Sequence, residues 1–524
     1  MKPRLQLAIL LATAVLAMVL VVRSGQQGMG FSPDSVSYFT MAEGLAAGKG
    51  FVDVRRYDSP ALPIYPPGYS LLIAAAGLVA GGDSADLMAA LPYLNGLLFA
   101  VAALIVLRGL VLATGSFAWT AAGTLLFLGS GDSVKLYSKV WSETAFLVAT
   151  LLFMLLLARH LDLRSKDESP AVRWLIGAAL AAGFAAIVRY PGVAAIGGGG
   201  LLLLLWRQPL RRRLIDATIF GAVSALPLAL WLLRNLLVFG RPYLSKDRAA
   251  SAHAFSTRNL ELGLETLTSW TGSPTGIYLL CLGGLIVGLA LRPRDHQEPK
   301  LHPTTLLAAV GAFALPYAAV MVVGTYGYGL HKPLDMRALA PIFGPLIWLT
   351  LLAGRQVVQT IHRRLRAGAA PRVGAVMALA SVVALAVFTG RHAWSASDPA
   401  KNYGMLQKKK RAVVEAFRDI EPTGKVFTNI DDHLYLLTGK PCLRLPQVYS
   451  LDGRDQPLPD YEAKMADLEE KLGDDGMIVY YSPSRRLYLP SEEELQARLS
   501  LEVVRTTEDG SIYRIRRDGD LDGN

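Results

Sequence analysis

The chain has 524 residues, of which 52% are hydrophobic and 18% charged, and its formal net charge is +11. A soluble domain usually carries about 25% charged residues, so the composition argues against a purely soluble protein. The basic residues lie mainly in short segments between apolar runs, which is typical of membrane topology and argues against a nucleic-acid-binding stripe. Cys281 and Cys442 lie in an apolar and a polar segment far apart, which argues against a disulfide and against a cysteine metal cluster.

Eleven apolar segments are predicted to cross a membrane, since a spanning helix needs about 20 residues. They are 5–22, 85–107, 117–128, 143–158, 174–188, 192–206, 215–233, 276–291, 306–323, 338–352 and 373–388. The first follows Lys2 and Arg4, as a signal peptide would, but Val21-Val22-Arg23 is a poor cleavage site. An uncleaved first helix is therefore the preferred interpretation, and a cleaved signal peptide is the alternative.

The loops between these segments predict the orientation of the chain. With a cytoplasmic N-terminus, every predicted cytoplasmic loop is basic, as the positive-inside rule requires. The residues concerned are Arg108; Arg159, Arg164, Lys166 and Arg173; Arg207, Arg211, Arg212 and Arg213; Arg292, Arg294 and Lys300; and Arg355, Arg363, Arg364, Arg366 and Arg372. An odd number of spans places the C-terminal segment outside the cytoplasm. We expect a multi-pass protein of the inner or plasma membrane.

Three outward segments are too long to be simple turns. The outer loop at 23–84 contains an amphipathic helix candidate at 35–47 and an apolar run at 69–79, which is too short to span and is expected to lie at the interface or to re-enter. The second is 240–274. The third is the charged tail at 389–524, with short strand-like runs at 425–428 and 477–481 and a helical pattern at 491–499. The predicted fold class is an all-α polytopic membrane domain at 1–388 followed by a small extracytoplasmic α/β domain at 389–524.

Ionisable residues gather at the predicted outer ends of the helices, whereas phosphate-binding glycine loops and hydrolase motifs are missing from the sequence. Each residue has a structural interpretation as well. Asp34 would cap the helix that follows it, and Arg189, Arg234 and Arg337 would reach the interface as snorkelling side chains. Cations that recur beside carboxylates on the outward face are instead what an anionic lipid head group would bind. The group comprises Asp34, Asp132, Lys135, Lys139, Glu143, Arg189, Arg234, Lys332, Asp335 and Arg337.

Several short motifs occur in a characteristic order along the membrane part. They are Asp34 followed by Tyr38, Ala42-Glu43-Gly44-Leu45, Gly48-Lys49-Gly50-Phe51, Tyr65-Pro66-Pro67-Gly68-Tyr69, Ser142-Glu143, Arg189-Tyr190, Trp231-Leu232-Leu233-Arg234-Asn235 with Gly240, and Arg337-Ala338-Leu339-Ala340-Pro341. This set resembles the GT-C glycosyltransferases, including relatives of the protein mannosyltransferases and of lipid A aminoarabinose transferase. The resemblance covers the chain from residue 1 to about residue 388.

The resemblance implies a GT-C-like fold and transfer of a sugar from a polyprenyl-phosphate carrier to a glycan, lipid or protein acceptor on the outer face. It implies Asp34 as the general base, with Glu143 as the next catalytic candidate. Its donor phosphate-binding residues would be Arg189, Arg234, Lys332 and Arg337, and its substrate pocket would include Tyr38, Tyr65, Asp132 and Tyr190. Some members carry two adjacent acids in the first outer loop, whereas Ser35 follows Asp34 here. No metal ligand is therefore assigned, and a divalent cation is left open as the only cofactor.

Two functions from other classes compete with a transferase. One is a transporter or lipid flippase without covalent chemistry, because charged residues inside membranes also mark transport paths. Against it, the acids gather on one face and no inverted repeat is visible. The other is a sensor or assembly scaffold that uses the tail as a binding module. Turnover in detergent would separate a transferase from both, since neither needs to turn over a substrate.

Overall fold

The computed structural model describes residues 3–168, 171–242, 257–271, 275–292, 299–327, 335–364, 370–401, 411–450, 453–484 and 486–516. Nineteen α-helices and seven strands are assigned within these ranges. The helices are α1 Pro3–Ser24, α2 Pro33–Ala46, α3 Gly68–Ala80, α4 Ser84–Thr114, α5 Phe117–Gly129, α6 Gly131–Tyr137, α7 Glu143–Ser165, α8 Ala171–Val188, α9 Val193–Leu205, α10 Leu210–Phe239, α11 Thr257–Thr271, α12 Thr275–Ala290, α13 Pro303–Gly327, α14 Met336–Arg364, α15 Pro371–Ala396, α16 Ala412–Arg418, α17 Asp431–Thr438, α18 Tyr461–Leu472 and α19 Glu492–Arg498. The strands are β1 Val426–Thr428, β2 Leu443–Arg444, β3 Tyr449–Ser450, β4 Gly453–Pro457, β5 Met477–Tyr481, β6 Leu501–Thr507 and β7 Gly510–Ile515.

Eight helices in the described ranges are long and apolar enough to cross a membrane: α1, α4, α7, α8, α10, α13, α14 and α15. Each contains one of the predicted spans. The other three predicted spans correspond to α5, α9 and α12, which are apolar helices of fewer than 18 residues. The total of eleven spans therefore stays a prediction. The apolar run expected to be too short to span forms α3, a helix of 13 residues.

The chain divides into two compact units. The first unit comprises Met1–Gly30 and Pro63–Asn402, and the second comprises Phe31–Leu62 and Tyr403–Asn524. All eight candidate spans belong to the first unit. The second unit combines part of the outer loop with the tail, a grouping by contacts that differs from the division after residue 388 predicted from composition. That predicted boundary stays a proposal about domain organisation.

Small residues let the helices of the first unit approach closely. A Cβ built on Gly198 of α9 would lie 1.7 Å from the carbonyl oxygen of Ala312 in α13. No side chain fits at such a distance, so glycine allows the two backbones to touch. Close packing through small residues is typical of helices that associate within a membrane.

The second unit contains a five-stranded mixed sheet in the order β2-β1-β5-β7-β6. Strand β1 pairs in parallel with β2 and β5, whereas β7 pairs antiparallel with β5 and β6. Alternate residues of the strands face opposite sides, so Val426 and Val479 join one buried core while Phe427 and Ile478 join the other. The strands and the helix predicted at 425–428, 477–481 and 491–499 are confirmed, which gives the tail the expected α/β character.

Candidate active site

Glu143 is the centre of a charged cluster in the first unit. It is the first residue of α7 and its side chain is fully buried. One carboxylate oxygen, Oε1, lies 2.6 Å from a terminal nitrogen of Arg189 and 2.5 Å from Nε of Arg337. The same guanidinium of Arg189 donates to Oγ of Ser142 at 3.1 Å. The side chains of Arg189 and Arg337 are partly exposed, at 17% and 20%, so one buried acid holds two partly exposed arginines.

The segment before α7 adds an aromatic ring and another cation. The guanidinium of Arg337 lies 4.8 Å from the ring centroid of Trp141, and the ammonium of Lys139 lies 4.3 Å from the same ring. Burial first, and then the positive charges of Arg337 and Lys135, lower the pKa of Lys139. Asp335 accepts hydrogen bonds from the backbone of Arg337 and Ala338 at 3.0 and 3.1 Å and so fixes the start of α14. The site is therefore rich in cations held by neighbours.

Asn95 of α4 supports this segment, although the sequence gave no sign of it. Its side chain is fully buried, and its amide nitrogen donates to the carbonyl oxygens of Tyr137 and Lys139 at 2.9 and 2.7 Å. Its amide oxygen accepts from the hydroxyl of Tyr69 at 3.1 Å. A lone asparagine in an apolar run carries no spacing signal, and its role is visible only once α3, α4 and the 137–139 segment are placed together.

Three of the sequence motifs meet beside this cluster. Gly68 begins α3, and a Cβ on it would lie 2.8 Å from the carbonyl oxygen of Ile187, two residues before Arg189. Asn235 is fully buried and donates to the carbonyl oxygen of Pro63 at 3.2 Å. The segment that carries Tyr65 is thus packed against the ends of α8 and α10, and Tyr65 itself is half-buried in it.

Arg234 and Tyr190 form a second polar group at these helix ends. The indole nitrogen of Trp231 donates to the hydroxyl of Tyr190 at 3.2 Å. The guanidinium of Arg234 donates to Asn235 at 2.8 Å and lies 4.9 Å from the centroid of the Trp231 ring. Since Tyr190 follows Arg189 directly, the structure links this group to the Glu143 cluster through adjacent residues.

The remaining predicted residues of the first unit differ in how far the structure describes them. Asp132 lies on α6, 3.2 Å from the ammonium of Lys135, and it also accepts a short hydrogen bond from Ser269 of α11. The negative charge of Asp132 favours the protonated form of Lys139, so Asp132 interacts electrostatically with the cluster. Lys332 lies outside the described residues.

Asp34 and Tyr38 belong to the second unit. Helix α2 begins two residues earlier than predicted, because Pro33 is its first residue and Ser32 is its N-cap, with reciprocal Ser32–Ser35 capping bonds. Asp34 therefore lies within the first turn, half-buried, and the structural interpretation that it caps α2 is wrong. Tyr38 is buried one turn further on, on the same face of the helix.

The second unit also contains a charged cluster that the sequence did not predict. Asp431, at the start of α17, accepts from Arg55 at 2.7 Å, from Arg444 at 2.6 Å and from Arg486 at 3.0 Å. The other terminal nitrogen of Arg486 donates to both carboxylate oxygens of Asp432, at 2.7 and 2.8 Å. Burial opposes ionisation, yet Arg444 and Arg55 outweigh it and hold the pKa of Asp431 below its ordinary value. The cluster links the outer loop to the tail within one unit.

The two clusters allow different chemistry. Two arginines on one acid give an excess of positive charge, which can bind a phosphate through charge-assisted hydrogen bonds. In the second cluster three arginines pair with three acids, Asp53, Asp431 and Asp432, so the charges balance. The acids at the Glu143 cluster do not suit a metal ion, because Oε1 of Glu143 is shared by two guanidiniums. Within the described residues no group of three His, Cys, Asp or Glu side chains is placed to hold a metal. A divalent cation stays an untested prediction.

Comparisons with known proteins show which solved structures have a similar fold. No protein-family model matches the sequence, and no curated protein matches it. The crystal structure of ArnT from Cupriavidus metallidurans bound to undecaprenyl phosphate is similar over 98% of both chains, with a TM-score of 0.62 and 15% identity. Its apo structure matches over 97% of this chain and 98% of that one, with a TM-score of 0.52 and 14% identity. The apo oligosaccharyltransferase of Archaeoglobus fulgidus matches over 91% of this chain and 69% of its own, with a TM-score of 0.51 and 13% identity.

At identities of 13–15% the likeness is one of fold. Both ArnT and the oligosaccharyltransferase are GT-C glycosyltransferases, which is the family that the motif order in the sequence resembles. The helical first unit and the small sheet of the second are both covered by the match to ArnT. The chain shares the fold of these GT-C structures.

Proposed function

We propose that the protein is a membrane glycosyltransferase that moves a sugar from a polyprenyl-phosphate-linked donor to an acceptor on the extracytoplasmic face. The observation that carries this proposal is the pair of partly exposed guanidiniums that one buried carboxylate, Glu143, holds at the start of a candidate span. The shared fold with an ArnT structure bound to undecaprenyl phosphate supports the class of donor. The acceptor is a glycan, a lipid or a protein.

Arg189 and Arg337 bind the donor phosphate in this proposal, with Arg234 beside them and Lys332 as a further candidate. When the bond between the sugar and the phosphate breaks, the electron pair stays with the phosphate oxygen and negative charge develops there. Guanidiniums placed beforehand stabilise that charge without rearranging. Glu143 orients both arginines through one oxygen, and a carboxylate that two cations hold in its ionised form is a weak proton acceptor.

Asp34 is therefore the proposed general base. It takes the proton of the acceptor's hydroxyl while that oxygen forms the new bond to the sugar, a role for which a half-buried carboxylate is suited. Ser32 caps α2, so the carboxylate of Asp34 is not required for capping. Tyr38, Tyr65, Asp132 and Tyr190 are proposed to contact the sugar or the acceptor.

A turnover assay in detergent tests the proposal. The purified full-length chain is incubated with undecaprenyl-phosphate-linked sugars and an envelope glycan or lipid extract, and release of undecaprenyl phosphate is followed by mass spectrometry. We expect release that depends on the acceptor and needs no sealed membrane. A chain that releases no carrier phosphate with any donor, yet moves a labelled lipid between the leaflets of a vesicle, would instead be a flippase.

The proposed face of the membrane has its own test. A reporter that is active only in the cytoplasm, fused after Asn524, should be silent if the spans and the basic loops orient the chain as expected. The same reporter fused within the basic segment at 363–372 should be active and serves as the control. A strong signal from the fusion after Asn524 would overturn the orientation.

A further inference from the structure

A cavity of about 310 Å³ lies at the end of the first unit that is opposite to Glu143 along α7. Arg159 lines it and lies sixteen residues after Glu143 in the same helix, which corresponds to about 24 Å at 1.5 Å per residue. The cavity thus belongs to a different site from the Glu143 cluster. Four segments contribute to it: the last turns of α4 and α7, the start of α8, and the residues just before α13.

Three cations line this cavity, namely Arg108, Arg159 and Lys300. Arg108 and Lys300 are exposed, and they are the ones available to a ligand from outside. Arg159 is held in place, since the same terminal nitrogen donates to Asp162 at 3.1 Å and to the carbonyl oxygen of Lys300 at 2.8 Å. Asp162 also accepts from the backbone of His302 at 3.1 Å. These bonds fix the segment that carries Lys300 against α7, so the cationic wall is formed before any ligand arrives.

Trp174 of α8 supplies a second, independent observation. It lines the same cavity, and its indole nitrogen is buried without a hydrogen-bond partner in the part of the chain that the structure describes. A buried donor without an acceptor is unfavourable, and native proteins rarely leave one. The oxygen of a bound anion would satisfy it. Leu112, Leu155 and Leu156 complete the lining and give the cavity an apolar side.

We infer that this cavity binds the phosphate of an anionic phospholipid head group. Two exposed cations and an unsatisfied N–H suit phosphate oxygens, and the leucine side suits the start of an acyl chain. Basic pockets between spanning helices are known to bind such head groups. The cavity volume of about 310 Å³ is many times the roughly 10–15 Å³ that one water needs on the same measure. The site is separate from the proposed donor site and is not consumed by the reaction.

Native mass spectrometry of the purified chain in detergent tests this inference. The protein is titrated with phosphatidylglycerol and, separately, with phosphatidylcholine, and the bound fractions are compared. We expect phosphatidylglycerol to bind at least about tenfold more tightly. Both head groups have a phosphate, but the quaternary ammonium of phosphatidylcholine cancels its negative charge and is repelled by Arg108 and Lys300. The double substitution Arg108→Gln/Lys300→Gln should abolish the preference. Trp174→Phe, which removes the N–H and the five-membered ring that carries it, should weaken binding about threefold to tenfold.

Arg211→Gln is the matched control, because Arg211 is an exposed arginine at the start of α10 and does not line the cavity. It should keep the lipid preference. Equal binding of the two lipids, or an equal loss in the Arg211→Gln protein, would overturn the inference. Inorganic phosphate is a further arm: if it binds to the native chain and not to the double variant, while phosphatidylglycerol shows no preference, the cavity takes free phosphate and not a lipid. Carrier release in the turnover assay does not enter this test, so the two proposals stand or fall separately.

Discussion

The Glu143 cluster of the first unit and the Asp431 cluster of the second both combine buried acids with arginines, but they differ in the balance of charge. Glu143 is fully buried, and both of its arginines are partly exposed. Asp431 is also buried, and its arginines Arg55, Arg444 and Arg486 are 6%, 33% and 16% exposed. Exposure therefore does not separate the two clusters, but the balance of charge does. Arg55 also pairs with Asp53 and Arg486 also pairs with Asp432, so three arginines meet three acids. Glu143 alone pairs with two arginines.

The partners of Arg55 show why the second cluster is structural. Arg55 also donates to Asp53 at 2.8 Å, and its carbonyl oxygen accepts from the backbone of Cys442 at 2.9 Å. The neighbouring Tyr57 donates to the carbonyl oxygen of Pro441 and accepts from the backbone of Val426. Except for the bond between Arg55 and Asp53, these bonds join the 31–62 segment to the tail within the second unit. The difference teaches that the number of arginines around one acid says less about function than the balance of arginines and acids in the whole cluster.

The largest effect is expected from Asp34→Asn, which tests whether this charge of the second unit is catalytic or only structural. General base catalysis is worth roughly 10²–10⁴-fold, so carrier release should fall by about that factor while expression and thermal stability stay near normal. Loss of the charge from the first turn of α2 changes stability by only about 0.3–1 kcal/mol. Asp58→Asn is the control, since Asp58 is exposed with a φ of 63°, a conformation that asparagine adopts well. Normal turnover of Asp34→Asn would show that Asp34 is not the base, and other acids would then be tested.

Asp431→Asn should give the largest loss of stability. Removing one partner of a buried ion pair typically costs about 3–5 kcal/mol, because Arg55, Arg444 and Arg486 would keep their charges without the carboxylate. Thermal unfolding of the second unit, followed by limited proteolysis in detergent, measures the change. Asp460→Asn is the control, since its pair with Lys464 is largely exposed and such pairs contribute at most about 1 kcal/mol. If Asp431→Asn stays stable but loses affinity for the donor, the Asp431 cluster is not purely structural.

The same cluster predicts a dependence on pH. The pKa of Asp431 and that of Asp432 are lowered in the folded protein, by Arg444 and Arg55 for the first and by His433 and Arg486 for the second, against the effect of burial. A group with a lowered folded pKa stabilises the fold above its unfolded pKa, which is about 3.9 for aspartate. The contribution is lost as the pH falls below that value. Unfolding of the native chain should therefore become easier below about pH 4, and Asp431→Asn should show a weaker dependence in that range.

Arg337→Ala should act mainly on the donor, because Glu143 keeps its ion pair with Arg189, whereas Asp431→Asn should act mainly on the fold. Loss of one charge-assisted contact should weaken binding of undecaprenyl phosphate by roughly 10–100-fold. Arg337→Lys should restore only part of it, since an ammonium cannot make a bidentate contact. Arg391→Ala, at an exposed arginine of α15, is the control and should bind normally. Unchanged binding in Arg337→Ala and in Arg189→Ala would reduce both residues to interfacial anchors.

The local elements were the part of this molecule that sequence could predict. Apolar length predicted α4, α7 and α10, and a capping residue with acids behind it predicted α19. The clusters could not be predicted in the same way, because Glu143 and Arg337 lie 194 residues apart and no local period connects them. The start of α2 was missed although Ser32-Pro33 was available as a signal for it. Asp431 was missed because its partners come from three separate segments.

The smallest effect is expected from Tyr435→Phe, which tests whether the tail positions the helix that carries Asp34. The hydroxyl of Tyr435 donates to Oε2 of Glu43 in α2 at 2.9 Å, and burial together with this carboxylate raises the pKa of the tyrosine. Loss of the bond should cost about 1 kcal/mol. Tyr513→Phe loses a similar bond to Glu492, at 2.7 Å, on the sheet and should cost about as much. If the tail positions α2, Tyr435→Phe alone should also lower turnover, by severalfold and with little change in donor affinity. Equal turnover in the two variants would show that the bond between Tyr435 and Glu43 does not position α2 for catalysis.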